Sequence, residues 1–144
     1  MRCFLDANIL FSAAYRSGNT ARAVALLSKM ESNEILTSHY AAEEARRNLE
    51  VKAPGRIETL DRLLRQLKLV QEPDGQQLAQ AQSELTDPDD APILAAARMA
   101  GADLLITGDV RHFGHLFDRK DHHPRVMRLA DALAFCLHRD SVTR

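Results

Sequence analysis

The stretch DDAPILAAARMAGADLLITGD, residues 89–109, indicates the architecture of this chain. Pro92 stands near its start, and proline is tolerated in the first turn of a helix, so an Ala-rich helix is predicted over 91–100. The apolar run at 104–107 follows that helix closely and predicts a buried strand. The strand stops short of Asp109, which is either a turn or capping residue or one wall of a charged cleft.

Short apolar runs alternate with helical patterns along the rest of the chain. The segment 56–67 shows the helical pattern clearly, because its apolar residues recur at spacings of three and four. Short strands that alternate with helices indicate an α/β fold with a parallel sheet. Strands are predicted at 2–5, 34–38, 68–70 and 104–107. Helices are predicted at 8–15, 20–29, from a Thr37 or Ser38 cap to 49, and at 56–67, 76–85, 91–100 and 129–138.

Composition limits the classes of function. At 144 residues with 45% hydrophobic residues, the chain fits one globular domain, and no repeat or linker divides it. The formal net charge of −1 argues against bulk attachment to nucleic acid or anionic membranes, so nucleic-acid binding needs a local basic face. No apolar run reaches the ~20 residues that span a bilayer, and a soluble, cytoplasmic protein is expected. Cys3 and Cys136 are expected to be buried thiols rather than a disulfide.

Four acidic residues from distant segments are predicted to meet at one edge of the sheet. Asp6 ends the first strand and Asp109 follows the last predicted one, and the carboxyl ends of parallel strands share an edge. Asp90 heads the helix that leads into that last strand, so it lies at the same edge. Glu44 lies in the second turn of the helix after the second strand. Helical phase favours Glu44 over Glu43, because Glu44 flanks the inward stripe of that helix.

Each acid has a simpler structural explanation when it is taken alone. Asp6 and Asp90 are suitable helix caps. Asp109 suits a turn, and Glu44 suits a solvated helix surface. Together, however, facing carboxylates repel one another and lose hydration, so a cleft lined by all four needs a compensating cation. Carboxylates and water suit Mg²⁺ or Mn²⁺, whereas Zn²⁺ would call for more histidine or cysteine, and a divalent-metal site is predicted.

Three segments resemble the PIN-domain nucleases, a family that includes the VapC-like toxins of bacterial toxin–antitoxin pairs. The segments are FLDANIL at 4–10, TSHYAAEEARRNL at 37–49 and the quoted stretch at 89–109. The resemblance implies a single-domain, three-layer α/β/α sandwich over 1–144 with a central parallel sheet. It also implies an endoribonuclease that depends on Mg²⁺ or Mn²⁺ and acts on RNA. The implied catalytic and metal-binding quartet is Asp6, Glu44, Asp90 and Asp109.

Polar neighbours of this quartet have predicted supporting roles. Asn8 and Thr107 are expected to orient water or a ligand carboxylate. Ala7 stands where the family commonly has serine or threonine, which weakens a polar contact near the metal. Asp89 leaves a one-residue ambiguity, although Asp90 has the family's spacing to the Ala-rich helix.

RNA bound beside an acidic centre needs basic contacts outside that centre. Two groups of basic residues follow Glu44 and Asp109 in the sequence, although each member taken singly suits a solvated surface. Aromatic residues make up only 5% of the chain, which argues against extended base stacking. The histidines over 112–123 do not favour a zinc site, because no cysteines accompany them at finger spacing. The predicted RNA contacts are Arg46, Arg47, Arg111 and His112.

Other classes of function remain as alternatives. A haloacid-dehalogenase-type phosphatase also begins with a strand that ends in aspartate, but its chemistry needs a second aspartate where this chain has Asn8. A catalytically silent PIN-like module would bind RNA or protein without cleaving it, and the full quartet argues against that. A toxin would bind a cognate antitoxin, and the apolar stripes at 20–29 and 56–67 suit such a partner or a homodimer. Core packing explains those stripes equally well.

Overall fold

A sheet of five parallel strands forms the centre of the molecule. The computed structural model describes residues 1–85, 87–117 and 119–143. The strands are β1 (Arg2–Leu5), β2 (Glu34–Ser38), β3 (Lys68–Val70), β4 (Leu104–Ile106) and β5 (Arg125–Met127). They pair in the order β3-β2-β1-β4-β5, which places β1 at the centre and confirms the predicted α/β fold with a parallel sheet.

Helices cover both faces of this sheet. Consecutive residues of a strand point to opposite faces, yet Cys3, Phe4 and Leu5 of β1 are all fully buried. Both faces are therefore covered, as parallel sheets require, and the three-layer α/β/α sandwich is confirmed. The helices are α1 (Ala7–Tyr15), α2 (Asn19–Lys29), α3 (His39–Lys52), α4 (Ile57–Arg65), α5 (Gly75–Gln82), α6 (Ala91–Met99), α7 (Val110–Phe113) and α8 (Leu129–Thr143).

Very short connections join the central strands to the helices that follow them. The carboxylate of Asp6 accepts a hydrogen bond from the amide of Ala7 at 2.7 Å, so Asp6 caps α1 directly after β1. Ser38 ends β2 and caps α3, its Oγ accepting a hydrogen bond from the Ala41 amide at 3.1 Å. These two helices therefore begin at the carboxyl edge of the sheet. After α6, Gly101 takes a positive φ of 68°, which lets the chain turn back toward β4.

The region after residue 109 differs most from the sequence prediction. The sequence analysis does not predict β5, in which only Val126 and Met127 are apolar. It also omits the short helix α7, which Asp109 caps through a hydrogen bond that Oδ1 accepts from the amide of His112. Helix α8 runs to Thr143, whereas the predicted helix ends at 138. Because β5 pairs with β4, the last strand predicted from the sequence, β4 lies inside the sheet rather than at its edge.

Cys3 and Cys136 are free thiols and both are buried, as predicted. Cys3 lies on β1 and Cys136 on α8, and the two thiols influence each other electrostatically. Among the described residues, no helix is both long enough and apolar enough to cross a bilayer.

Candidate functional site

The four predicted acids line one cleft at the carboxyl edge of the sheet. Asp6 follows β1, Glu44 lies on α3, and Asp109 follows β4. Asp90 directly precedes α6, in a single turn of 3₁₀ helix. The cleft has a volume of about 460 Å³. Its remaining lining residues are Asn8, Phe11, Asn48, Lys52, Asp87, Asp89 and His112.

Asp6 is the most deeply buried of these acids, with only 5% of its surface exposed. Its Oδ2 accepts hydrogen bonds from Oγ1 of Thr107 at 2.7 Å and from Nδ2 of Asn8 at 3.3 Å. Burial raises the pKa of Asp6 to about 6, against the lowering effect of the bonds from Thr107 and the Ala7 amide. The nearby charges of Glu44 and Asp90 raise this pKa further.

Thr107 connects the two strand ends that carry Asp6 and Asp109. Besides donating to Asp6, its Oγ1 accepts hydrogen bonds from the amide of Asp109 at 3.0 Å and from Nδ2 of Asn8 at 3.1 Å. Oδ1 of Asn8 in turn accepts a hydrogen bond from the Gly108 amide at 3.0 Å. The predicted supporting residues Asn8 and Thr107 therefore fix the relative positions of the two acids.

Asp90 contains an unsatisfied oxygen. Its Oδ2 is buried and has no hydrogen-bond partner among the described residues. Burial raises the pKa of Asp90 to about 6, and the negative charges of Asp109, Asp87 and Glu44 add to this increase, whereas His112 opposes it. A buried carboxylate oxygen without a hydrogen bond is costly, and it is the kind of atom that a bound cation would satisfy.

His112 lies among the acids rather than on a separate basic surface. Its Nδ1 is 2.8 Å from Oδ2 of Asp109 and 3.0 Å from Oδ2 of Asp90, and its Nε2 is 3.5 Å from Oδ2 of Asp87. Desolvation lowers the pKa of His112, but the carboxylates of Asp90, Asp109 and Asp87 outweigh it, so the net pKa is raised. A raised pKa favours the protonated imidazole, whose positive charge offsets part of the repulsion among these carboxylates.

Asp87 is a member of the cleft that the sequence analysis missed. Asp87 caps the turn before α6 by accepting a hydrogen bond from the Asp89 amide at 2.9 Å. Its carboxylate also faces the site, and ligand atoms of Asp87, Asp90 and His112 lie within 4.8 Å of one another. The spacing of Asp87 three residues before Asp90 does not by itself distinguish a residue of the cleft from a turn cap.

A family comparison agrees with this geometry. Residues 2–111 match the family model described as the PIN domain. The chain belongs to the PIN-domain family. A search of curated proteins gave no match.

Solved structures share the fold of this PIN domain at low sequence identity. VapBC2 from Rickettsia felis, bound to a DNA fragment from their promoter, is 19% identical with a TM-score of 0.64, covering 80% of this chain and 92% of that one. PAE2754 from Pyrobaculum aerophilum is 18% identical with a TM-score of 0.65, covering 93% of both chains. VapBC-1 from nontypeable Haemophilus influenzae is 15% identical with a TM-score of 0.62, covering 90% of this chain and 99% of that one. These similarities establish the fold.

The neighbouring acids on α3 of this PIN domain have different surroundings. Glu44 lines the cleft and is half-buried, and burial raises its pKa, with Arg47 opposing and Asp109 adding to the shift. Glu43 instead lies 3.8 Å from Nε of Arg46 and 4.0 Å from Nε2 of His39, outside the cleft lining. The helical phase therefore places the two side chains as predicted.

The predicted RNA contacts of the PIN domain separate into two kinds. Arg46 forms ion pairs with Asp61 and Glu43, which hold its guanidinium between α3 and α4. Arg47 is exposed and its charge acts on Glu44, and Arg111 is exposed on α7 beside Asp109. Arg47 and Arg111 are thus the predicted arginines with accessible side chains, the first acting on Glu44 and the second two residues after Asp109.

The residues of this cleft fit a divalent cation. The donors are carboxylate oxygens, which Mg²⁺ and Mn²⁺ prefer, with one imidazole beside them. Burial and mutual repulsion raise the pKa of Asp6 and that of Asp90, so these groups resist ionisation without a nearby positive charge. Oδ2 of Asp90 is left without a hydrogen-bond partner in the described part of the chain. All three features are those expected of a cation site.

Proposed function

We propose that this PIN domain is an endoribonuclease that uses Mg²⁺ or Mn²⁺ to hydrolyse RNA phosphodiester bonds. One observation carries the proposal: acids from four distant segments meet in one cleft, where a carboxylate oxygen of Asp90 is buried without a hydrogen-bond partner among the described residues. The proposed metal ligands are Asp6, Glu44, Asp90 and Asp109.

In this proposal the side chains of the protein hold the cation and the RNA in place. A bound divalent cation supplies the charge that polarises the phosphate and lowers the pKa of the attacking water. The hydrogen bonds of Thr107 hold the carboxylate of Asp6 and the backbone of Asp109 in fixed positions. Arg47 and Arg111 flank the acids and attract the phosphates of the bound strand.

The decisive test is cleavage of single-stranded RNA by the purified protein with and without Mn²⁺. The proposal expects cleavage by the parent with Mn²⁺, none in EDTA, and none by Asp90→Asn under either condition. The matched control is Glu43→Gln. Glu43 is the neighbour of Glu44 on α3 but points away from the cleft, so this variant should cleave like the parent. RNA binding without cleavage in any metal would favour the silent binding module instead.

We also propose that the protein binds a cognate antitoxin, as the toxin of a toxin–antitoxin pair. A groove of about 390 Å³ runs between α2 and α4, and its lining is apolar on α2 through Ala21, Val24 and Ala25. Exposed Arg62 also lines it, so an apolar segment with an acidic residue fits best. The VapBC structures among the similar folds support a partner of this kind.

Co-expression with the product of the adjacent gene tests this partner. The proposal expects a complex that co-purifies and that Ala25→Asp and Arg62→Glu each disrupt, while both variants cleave RNA when alone. Homodimers in light scattering that these same substitutions dissociate would show that the groove joins two copies of this chain instead.

A further inference from the structure

A second cavity adjoins the acidic cleft along α1. Phe11 lines both, and the second cavity has a volume of about 490 Å³. Asp6 caps the start of α1 and Tyr15 ends it, so the two lie about 14 Å apart along the helix axis at the ordinary rise per residue. The cleft and the second cavity together form a path leading from the acids toward the end of α1.

An aromatic pair and a lysine border this path. Phe11 and Tyr15 are four residues apart on one face of α1, and their rings stack with centroids 5.3 Å apart and an interplanar angle of 28°. Nζ of Lys52 lies 5.4 Å from the centroid of the Phe11 ring, and Lys52 also lines the acidic cleft. Tyr15 remains 41% exposed despite the stack, so part of its ring is available to a ligand.

The second cavity differs chemically from the acidic cleft and from the groove between α2 and α4. Among the described residues, its lining contains no acid and no aliphatic side chain, and its one charged member is Arg16. Hydroxyl and amide groups make up most of the rest, including Ser12, Asn19 and Thr20. A surface of this kind suits a polar, planar, anionic ligand better than an apolar protein segment.

We propose that this path is a nucleotide subsite for single-stranded RNA. A base of the strand stacks on the exposed part of Tyr15, and the phosphate between that base and the acidic cleft contacts Lys52. Proteins usually hold unpaired RNA by stacking aromatic side chains on its bases and by placing cationic side chains against its phosphates. The subsite lies beside the acidic centre, so one short strand spans both. The proposal rests on the proposed function for its choice of ligand.

An abasic scan of a single-stranded RNA tests the subsite. The proteins carry Asp90→Asn, so that the RNA stays intact, and binding is measured by fluorescence anisotropy in one buffer for every variant. With Tyr15 in place, one abasic position should weaken binding about tenfold, the effect typical of one lost stack. With Tyr15→Ala, intact RNA should bind about tenfold more weakly, and the abasic position should not lower the affinity further.

Control variants separate stacking from folding. Tyr15→Phe keeps the ring and should bind like its parent. Leu137→Ala removes an apolar side chain on α8 that is somewhat more exposed than Tyr15, and it should have no effect. Lys52→Met keeps the apolar stem of the lysine. It should reduce the slope of log affinity against log salt concentration by about 0.7. The subsite would be overturned if every abasic position lowered the RNA affinity equally, both with Tyr15 and with Tyr15→Ala. An absence of RNA binding would also overturn it.

The outcomes also separate the subsite from the proposed function. Abasic-sensitive binding through Tyr15 in a protein that never cleaves RNA would uphold the subsite and remove the nuclease. Cleavage by the parent without any coupling between Tyr15 and an RNA base would do the reverse. Loss of antitoxin binding but unchanged RNA affinity in Tyr15→Ala would assign this surface to a protein partner and overturn the subsite.

Discussion

Nδ1 of His112 lies 3.0 Å from Oδ2 of Asp90, the buried oxygen that has no hydrogen-bond partner among the described residues. The same nitrogen is 2.8 Å from Oδ2 of Asp109, and a single N–H cannot form good hydrogen bonds to both acids. When protonated, the imidazole therefore acts on Asp90 mainly through its charge. It reduces the repulsion in the cleft without removing the need for a cation.

The stability of the metal-free protein should fall as the pH rises from about 4 to about 6. The pKa of Asp6 is about 6 in the folded protein against 3.8 for an unperturbed carboxyl, so the folded state holds a proton that the unfolded chain releases in this range. Stability decreases with pH wherever the folded state binds more protons, here by up to about 3 kcal/mol for Asp6. Urea unfolding in EDTA at several pH values measures this, and Asp6→Asn should make the profile shallower, with Asp90, whose pKa is also about 6, contributing to the slope that remains. Identical profiles for parent and variant would contradict the raised pKa.

Mn²⁺ should bind more tightly at pH 7.5 than at pH 5. Below pH 6 the raised pKa of Asp6 and that of Asp90 keep these carboxyls largely protonated, and protons then compete with the metal. Calorimetric titration should show affinity rising through this range with release of protons on binding. Glu43→Gln should follow the parent curve, whereas Asp109→Asn should bind weakly at both values. A pH-independent affinity would place the metal elsewhere.

Thr107→Val should weaken Mn²⁺ binding by about 10- to 100-fold, because the valine cannot donate to Asp6 or accept from the Asp109 amide. It should also destabilise the protein by about 1–3 kcal/mol, since it leaves buried polar groups unpaired. Thr37→Val is the matched control. Thr37 is equally buried at the end of β2, but its Oγ1 donates to the carbonyl of Leu5 at 2.9 Å and not to an acid. Thr37→Val should lose stability and keep metal affinity; equal losses of affinity would make Thr107 merely structural.

The three predicted RNA-contacting arginines should differ in their effect on RNA binding. Arg47→Gln and Arg111→Gln should each lower the salt dependence of log affinity for single-stranded RNA by about 0.7, as expected for one lost phosphate contact. Arg46→Gln should leave that slope unchanged, because Arg46 is already paired with Asp61 and Glu43. Filter binding over a series of salt concentrations measures all three. A reduced slope for Arg46→Gln alone would show that RNA competes for that ion pair.

Sequence reasoning placed the acids because regular geometry determines their positions. Asp6 and Asp109 follow buried apolar strands, and parallel strands bring their carboxyl ends together whatever the details of packing. Glu44 was distinguished from Glu43 by helical phase, which depends only on the regular 100° turn of a helix. Such features are local and periodic, so one sequence is enough to predict them.

The missed features depend on contacts that no local pattern records. The strand β5 has two apolar residues between charged ones, and it exists because the edge of β4 offers hydrogen bonds to the chain that passes it. His112 enters the acidic cleft because Asp109 caps α7 and turns the next residues back over the site. Asp87 joins them through the 3₁₀ turn that its own side chain caps. Each of these positions follows from tertiary structure.

Anomalous X-ray scattering from a crystal soaked in Mn²⁺ tests the central claim most directly. The account predicts a manganese peak in the cleft, within coordination distance of oxygens from Asp6, Glu44, Asp90 and Asp109, and the loss of that peak in Asp90→Asn crystals. A saturating soak that leaves the cleft without a peak, or a peak unaffected by Asp90→Asn, would contradict it.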